Sequence, residues 1–362
     1  MTSDRQPLFL HVGLPKTGTT YLQTVLAENR AVLRQHGFVY PFVRPEGMFH
    51  AAVELRGDAE RWGLDPGLIE ATWAALLDRA RDVGGTAIIS HEILGAATSA
   101  QVDAALAEAT DFDVHLVVTA RDLARQVPAH WQEGVKNGQS YSYAQFREQL
   151  LAPGLTGRDD EFWCEQDLVD TLDRWSRGLS ADHVHIVVCP PSGASPELLW
   201  RRFATAVGLV GVPVDLTKAY RVNPSLGRTQ IAVLRSVNQV LGGRIGWPAY
   251  AHVVKRRFAQ KVLVNEVEPD DRALATPDLL DLLKQRTEEW VATIGERGYR
   301  VYGDLADLAP RAFGPQGYDP DAVDQRKVTR RVEQAVPRLL AEAAARRGPG
   351  KRSWVQRLTG RT

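Results

Sequence analysis

The residues best able to do chemistry form a short loop near the start of the chain, Gly13-Leu14-Pro15-Lys16-Thr17-Gly18-Thr19-Thr20. The loop follows a predicted strand over residues 7–13 and precedes a predicted helix that ends at Gly37. Backbone N–H groups in such a loop, with a helix N-terminus behind them, bind anions such as phosphate. A nucleoside-triphosphate loop has lysine directly after its second glycine. Here that position is Thr19 and the lysine is Lys16, so the pattern predicts an anion site without the triphosphate geometry.

Polar side chains also follow two later predicted strands. His91 and Glu92 follow residues 86–90, and Arg121 follows residues 114–120. Because parallel strands end at one edge of a sheet, we expect these groups to meet the loop in one crevice. Successive side chains of a strand point in opposite directions, so only one of His91 and Glu92 faces the crevice if the strand continues.

Short apolar segments alternate with helical patterns along the first half of the chain. A further strand is predicted at 183–189, with helices near 68–83, 100–109 and 165–178. This alternation predicts an α/β fold, a three-layer arrangement around a central parallel sheet of about five strands. The part from about 190 to 310 reads as helices and loops, which gives a helical C-terminal part.

Four segments together resemble a known enzyme family. GLPKTGTTYLQ looks like the 5′-phosphosulfate-binding loop of sulfotransferases that use 3′-phosphoadenosine 5′-phosphosulfate (PAPS). With ISHEILGAA, ARDLARQVPAHWQ and NPSLG, it is similar to uncharacterised sulfotransferase-like proteins of high-GC bacteria. The resemblance is firm over about residues 7–35 and 86–135. It implies a P-loop-like fold and transfer of a sulfuryl group from PAPS to a hydroxyl, or less readily an amine, of a small molecule, sugar or glycolipid.

The resemblance also implies roles for individual residues. Lys16 would stabilise the transferred group and the leaving phosphate, and Arg121 would hold the 3′-phosphate of the nucleotide. Related enzymes use either a histidine or a glutamate after the comparable strand as the base, which leaves Glu92 and His91 as candidates. The expected cofactor-binding set is Lys16, Thr17, Gly18, Thr19, Thr20, Tyr21 and Arg121, with Tyr21 either against the adenine or packed into the core.

One position departs from the family pattern. The family typically has a serine eight residues after the arginine, as a second ligand of the 3′-phosphate, and this chain has Ala129 there. Substitutes considered from the sequence are Gln126, His130, Asn223 and Ser225. Weaker binding of the 3′-phosphate, or use of a different nucleotide, is the alternative.

Composition excludes several classes of protein. The 362 residues have ordinary globular proportions, 44% hydrophobic and 24% charged, which excludes a fully disordered or fibrous chain. Two cysteines, Cys164 and Cys189, cannot make a disulfide framework or a structural zinc site. The N-terminus has no signal-peptide pattern. We therefore expect a cytoplasmic, metal-independent protein. The resemblance adds a small-molecule or carbohydrate acceptor as the partner, and we expect no nucleic acid.

The charge of the chain is unevenly distributed. Residues 327–362 contain ten basic and two acidic residues, a formal +8, so the preceding 326 residues carry −8 within the balanced total. Together with the resemblance, this predicts a sulfotransferase-like α/β domain over 1–310, a linker over 311–326 and a basic helical tail over 327–362. The tail is either a solvated basic helix or a peripheral contact with an anionic membrane surface.

Two other functions stay open from the sequence. A P-loop kinase of a small molecule is the first, and Thr19 in the lysine position argues against it. The second is a non-catalytic nucleotide- or anion-binding protein, which Ala129 favours to a limited extent.

Overall fold

Six parallel strands form a sheet in the structure, a computed structural model that describes residues 5–152, 160–221, 226–264 and 271–345. The order across the sheet is β2-β3-β1-β4-β5-β6. The strands are β1 (Gln6–His11), β2 (Phe38–Val39), β3 (Thr86–Ser90), β4 (Phe112–Ala120), β5 (Val184–Val188) and β6 (Arg300–Tyr302). The predicted α/β class is confirmed. The two outermost strands, two and three residues long, were not predicted because so short a segment shows no alternation.

Two apolar faces follow from the strand register. Phe9 is paired with Ile88, and side chains two apart along a strand share a face. On this face Phe9, Ile88, Val117 and Val187 belong to one buried cluster with residues of the first and eleventh helices. The opposite face carries buried side chains such as Leu10. Helices on both sides account for strands that read as continuous apolar segments.

The helices of the described residues are mostly short. Their bounds are α1 (Thr19–Glu28), α2 (Arg30–Gln35), α3 (Gly47–Arg56), α4 (Pro66–Ile69), α5 (Thr72–Val83), α6 (Ser99–Ala107), α7 (Leu123–Lys136), α8 (Tyr143–Leu151), α9 (Glu161–Gln166), α10 (Leu168–Trp175), α11 (Pro196–Ala206), α12 (Arg228–Leu241), α13 (Trp247–Tyr250), α14 (Leu280–Glu296) and α15 (Gln325–Ala345). A π-helix spans Ala251–Leu263, and 3-10 turns include Glu92–Ala96 and Ala181–His183.

Several predicted helices are each divided in two. The helix expected to end at Gly37 breaks at Asn29, whose side chain donates to the carbonyl groups of Val25 and Asp215. The helix expected over 165–178 is α9 and α10, because the Asp167 carboxylate accepts from the N–H of Val169 and starts a new helix. Polar side chains that bond to nearby backbone favour such breaks.

The chain forms two compact units. The first consists of Met1–Glu133, Tyr141–Asn223 and Ala273–Pro320, and it contains the sheet. The second consists of Gly134–Ser140, Pro224–Arg272 and Asp321–Thr362. The predicted division into 1–310, 311–326 and 327–362 stays a prediction, since compact units need not coincide with domains that fold alone.

The second unit contains α12, α13, the π-helix and α15. In it, Asn238 of α12 donates to the carbonyl groups of Val135 and Gln139 and accepts from the Tyr250 hydroxyl. The basic tail is helical as far as Ala345, through Pro337, and its remaining residues lie outside the described part. No helix within the described ranges combines the length and apolar character needed to cross a membrane.

Candidate functional site

The loop after β1 has the backbone shape expected of an anion cradle. Gly13 has φ +52° and Gly18 has φ +87°, the left-handed region that favours glycine. A Cβ on Gly18 would lie 2.5 Å from Leu199 Cδ2. Helix α1 begins directly after Gly18, and the first N–H groups of a helix have no acceptor inside it. Gly18, Thr19 and Thr20 therefore present backbone donors at the predicted place.

Lys16 lies in this loop with φ +71°, which is uncommon for a residue with a Cβ and costs about 1–3 kcal/mol. Its Nζ forms an ion pair with Glu133 Oε2 of α7 at 2.5 Å. The two side chains are 23% and 21% exposed. The amine is thus held by a carboxylate in the structure, and an anionic ligand that binds Lys16 must compete with Glu133.

Arg121 follows β4 and lies beside the loop. Its guanidinium donates to the Lys16 carbonyl oxygen at 2.9 Å. Among the described residues, no carboxylate lies within ion-pair distance of Arg121, because the neighbouring Asp122 pairs with Arg125. Burial, and then the Arg125 cation, lowers the pKa of Arg121. A half-buried cation that forms no ion pair within the described part of the chain has lost part of its hydration, and an anion bound beside it offsets that loss.

A cleft of about 300 Å³ opens between these cations and the segment that follows β5. Its walls come from the first loop, from the start of α7 and from the chain between β5 and α11. Its lining residues are Lys16, Thr17, Gly18, Arg121, Arg125, Cys189, Pro190, Pro191, Ser192, Gly193, Ala194, Ser195, Pro196 and Leu199. The strand ends therefore bring Lys16 and Arg121 into one cleft, whereas His91 and Glu92, expected in the same crevice, are not among its lining residues.

A network of buried polar side chains holds the loop in place. The Thr17 hydroxyl lies 2.6 Å from the Leu14 carbonyl and 2.5 Å from the Thr119 hydroxyl. His11 bridges Thr119 and Ser90, and burial lowers its pKa to about 4, so the ring is neutral. Thr17 therefore uses its side chain to hold the shape of the loop.

Cys189 contributes to the same support. Its thiol donates to the Thr17 carbonyl at 2.9 Å, and burial raises the pKa of that thiol to about 12. The protonated sulfur is a structural donor rather than a nucleophile.

Tyr21 lies in the first turn of α1. Its ring packs against the buried cluster on the sheet, and its backbone N–H bonds to the Gly18 carbonyl at 3.0 Å. This is the packing role left open from the sequence, and a contact with adenine stays a prediction.

Glu92 is the first residue of the 3-10 turn Glu92–Ala96, and His91 directly precedes that turn. The Glu92 carboxylate accepts from Gln23 of α1 at 2.8 Å, and a Cβ on Gly13 would lie 3.3 Å from Glu92 Cβ. Burial raises the pKa of Glu92, but His91, the hydrogen bonds from Gln23 and its own backbone, and Lys16 outweigh this and lower it. Glu92 is therefore an ionised carboxylate beside the loop.

His91 has a different environment. Its Nδ1 accepts from the Ile93 N–H at 3.3 Å, and its ring lies 5.6 Å from that of Phe49. Burial lowers the pKa of His91, although Glu92 acts in the opposite direction. His91 thus caps the turn. Which of the two residues acts as a base stays a prediction.

Helix α7 places two charged residues around Ala129. Arg125, Ala129 and Glu133 are four residues apart, so they share one face of the helix. Neither charged residue was singled out from the sequence. Their spacing of four residues on either side of Ala129 could have indicated that they share its helix face. The ion pair of Glu133 with Lys16 joins residues 117 positions apart, and no local pattern shows it.

The substitutes considered for the missing serine are placed elsewhere. The fully buried Gln126 side chain donates to the Pro15 carbonyl at 3.4 Å and to Gln166. His130 accepts from Gln166 at 3.3 Å. Asn223 and Ser225 lie outside the described residues. Arg125, one turn before Ala129, lies on the cleft wall, where its guanidinium pairs with Asp122 and donates to the Pro190 carbonyl.

Comparisons with known proteins add no relative. No protein-family model, no curated protein and no solved structure matches this chain.

Proposed function

We propose that the protein transfers a sulfuryl group from PAPS to a hydroxyl, or less readily an amine, of a small-molecule or carbohydrate acceptor in the cytoplasm. One observation carries the proposal: Arg121, half-buried and without an ion-pair partner among the described residues, lies beside the anion-cradle loop and Lys16 in one cleft. A nucleotide with phosphates at both its 5′ and 3′ positions would engage both groups.

The residues present fit such a ligand. The first N–H groups of α1 and the Lys16 amine would hold the 5′-phosphosulfate. Arg121, with Arg125 in place of the missing serine, would hold the 3′-phosphate through the planar donor fork that suits phosphate. When bound, PAPS supplies the sulfuryl group, and the phosphate of 3′-phosphoadenosine 5′-phosphate (PAP) is the leaving group.

The chain itself would supply positioning, charge and a base. Lys16, once released from Glu133, neutralises charge that develops on the leaving phosphate. Glu92 would accept the proton of the acceptor hydroxyl: its carboxylate is ionised and lies beside Gly13 of the loop, and close positioning of the acceptor would have to offset the lowered pKa, which makes it a weak base. Loop and helix fix these groups before the ligand arrives, and positioning is expected to supply much of the rate.

The test is release of PAP from PAPS by the full-length protein with a panel of hydroxyl and amine acceptors. Lys16→Ala and Glu92→Gln should abolish turnover without loss of the fold, while Lys284→Ala, at an exposed lysine of α14, should not change it. Normal turnover in Lys16→Ala refutes the proposal. Binding of PAP without turnover for any acceptor favours the non-catalytic binding protein, and turnover with Mg-ATP alone favours the kinase.

A further inference from the structure

A second cluster of polar residues lies at the opposite edge of the sheet from the cleft. Asp113 and His115 are near the amino end of β4, and His183 directly precedes β5. The cleft lies at the carboxyl ends of the same strands. We call these three residues the histidine cluster.

The strand register explains why these residues meet. Asp113 and His115 are two apart on β4, so they point to the same face of the sheet. Leu116 is paired with Val184 in the parallel ladder, which places His115 beside His183 one position earlier. The rings of His115 and His183 lie 4.2 Å apart, and Phe9 stacks on His115 at 4.6 Å.

The ligand atoms of the cluster converge. One nitrogen from each histidine and one carboxylate oxygen all lie within 4.8 Å of one another. His183 Nε2 is 3.1 Å from Asp113 Oδ1, and His115 Nε2 is 3.7 Å from Asp113 Oδ2. The side chains of Asp113, His115 and His183 are 29%, 18% and 25% exposed, so an ion can reach them from solvent.

Each histidine has a partner on its other nitrogen. His183 Nδ1 lies 2.6 Å from Ser180 Oγ and 3.3 Å from Asp182 Oδ1. His115 Nδ1 lies 3.0 Å from His185 Nε2. Metal-binding histidines are oriented in this way, because a donor bond from one nitrogen leaves the lone pair of the other for the metal.

The hydrogen bonds continue from His185 to Tyr302 of β6, and they allow His115 to keep its proton on Nδ1. His185 Nδ1 lies 3.0 Å from the Tyr302 hydroxyl. His115 Nδ1–H can donate to His185 Nε2 when His185 Nδ1–H donates to the Tyr302 oxygen, which frees His115 Nε2.

Electrostatics around His183 also favours a cation. Both of its nitrogens face carboxylates, Asp182 on one side and Asp113 on the other. If Nδ1–H donates to Asp182 or Ser180, the Nε2 lone pair faces the Asp113 carboxylate and the two repel unless a proton or a metal ion lies between them. Arg300, 3.8 Å from the other oxygen of Asp182, is the one opposing charge that the described contacts place there.

We propose that Asp113, His115 and His183 form a binding site for one Zn²⁺-type divalent transition metal ion. Two imidazoles and a carboxylate are ligands that zinc accepts, with a fourth position for water. The ion would join the start of β4 to the segment before β5 and stabilise the sheet. Sequence analysis predicted no metal, because the ligands are 70 positions apart and share no local motif.

The test is metal binding by untagged, full-length protein after treatment with a chelator. We expect one Co²⁺ per chain with the visible absorption of a tetrahedral site, displaced by Zn²⁺, and a higher unfolding temperature with Zn²⁺. His183→Ala and the isosteric Asp113→Asn should each lose affinity by more than about 100-fold, and Asp182→Asn by about 10-fold. His36→Ala, at an exposed histidine, is the matched control and should bind as the wild type does.

Three results would overturn the proposal: no stoichiometric binding by the wild type, unchanged affinity in Asp113→Asn, or an equal loss in His36→Ala. Unfolding of each variant in chelator shows whether it folds. If His183→Ala does not fold, Asp113→Asn carries the test, since it keeps the shape of the side chain.

Discussion

Replacing Arg121 with alanine should remove the preference of the protein for a nucleotide with a 3′-phosphate. The matched ligands are PAP and AMP, which differ only in that phosphate. A hydrogen bond to a charged group contributes about 1.5–3 kcal/mol, and each 1.4 kcal/mol is a factor of ten in affinity. We expect Arg121→Ala to bind PAP about 10- to 100-fold more weakly and AMP nearly as well as the wild type does.

The structure also predicts what the substitution does without ligand. It removes a half-buried cation that has no ion-pair partner among the described residues, which favours folding, and it removes the hydrogen bond to the Lys16 carbonyl, about 1 kcal/mol in the other direction. The unfolding temperature should therefore change little. Calorimetric titration of the wild type, Arg121→Ala and the exposed control Arg79→Ala gives the result. Equal losses for PAP and AMP would refute the assignment of Arg121.

Three further substitutions test neighbouring parts of the account. Glu133→Gln should increase the affinity for PAP two- to fivefold, because a partly exposed ion pair contributes up to about 1 kcal/mol and the ligand no longer competes with it for Lys16. Weaker binding of PAP in a calorimetric titration would contradict this. Ala129→Ser should tighten PAP about fivefold by one added hydrogen bond beside Arg125, and no change would show that the 3′-phosphate does not reach α7. Burial, and then Glu161, raises the pKa of Glu165 to about 7. The folded state therefore keeps a proton on Glu165 up to about pH 7, whereas the unfolded state loses it above about pH 4.5. The contribution of this group to the free energy of unfolding falls as the pH rises from about 4.5 to 7. Glu165→Gln should match the wild type near pH 4 and exceed it by about 2–3 kcal/mol at pH 8 in urea unfolding; a constant difference would refute the shift.

The fold class could be predicted because its signals are local. The segment at 86–90 matches β3, and the end of β4 at Ala120 leaves Arg121 at the crevice, since apolar strands and glycine-bounded loops are visible over a few residues. Asn29 and Asp167 divided two predicted helices because their side chains bond to backbone that the apolar pattern ignores. Strand alternation alone did not separate Glu92 from His91, because the chain leaves the strand before both residues.

The site was only partly predictable, for a different reason. Gly18, Lys16 and Arg121 come from motifs or strand ends, so their meeting follows from a parallel sheet. The pairing of Lys16 with Glu133, and that of Asp113 with His183, depends on packing and register between distant segments. Each of these contacts joins a single pair of side chains that are far apart in the sequence, so no repeated spacing in the sequence indicates it.

The central claim is a site that binds a nucleotide with 5′- and 3′-phosphates. Thermal unfolding of the full-length protein with PAP, adenosine 5′-phosphosulfate and Mg-ATP tests it most directly. A ligand at about 100 times its dissociation constant stabilises the native state by about 2.7 kcal/mol, which raises the unfolding midpoint by several degrees. We predict a shift with PAP that clearly exceeds the shift with adenosine 5′-phosphosulfate. A shift with Mg-ATP alone, or no shift with any of the three, would contradict the account.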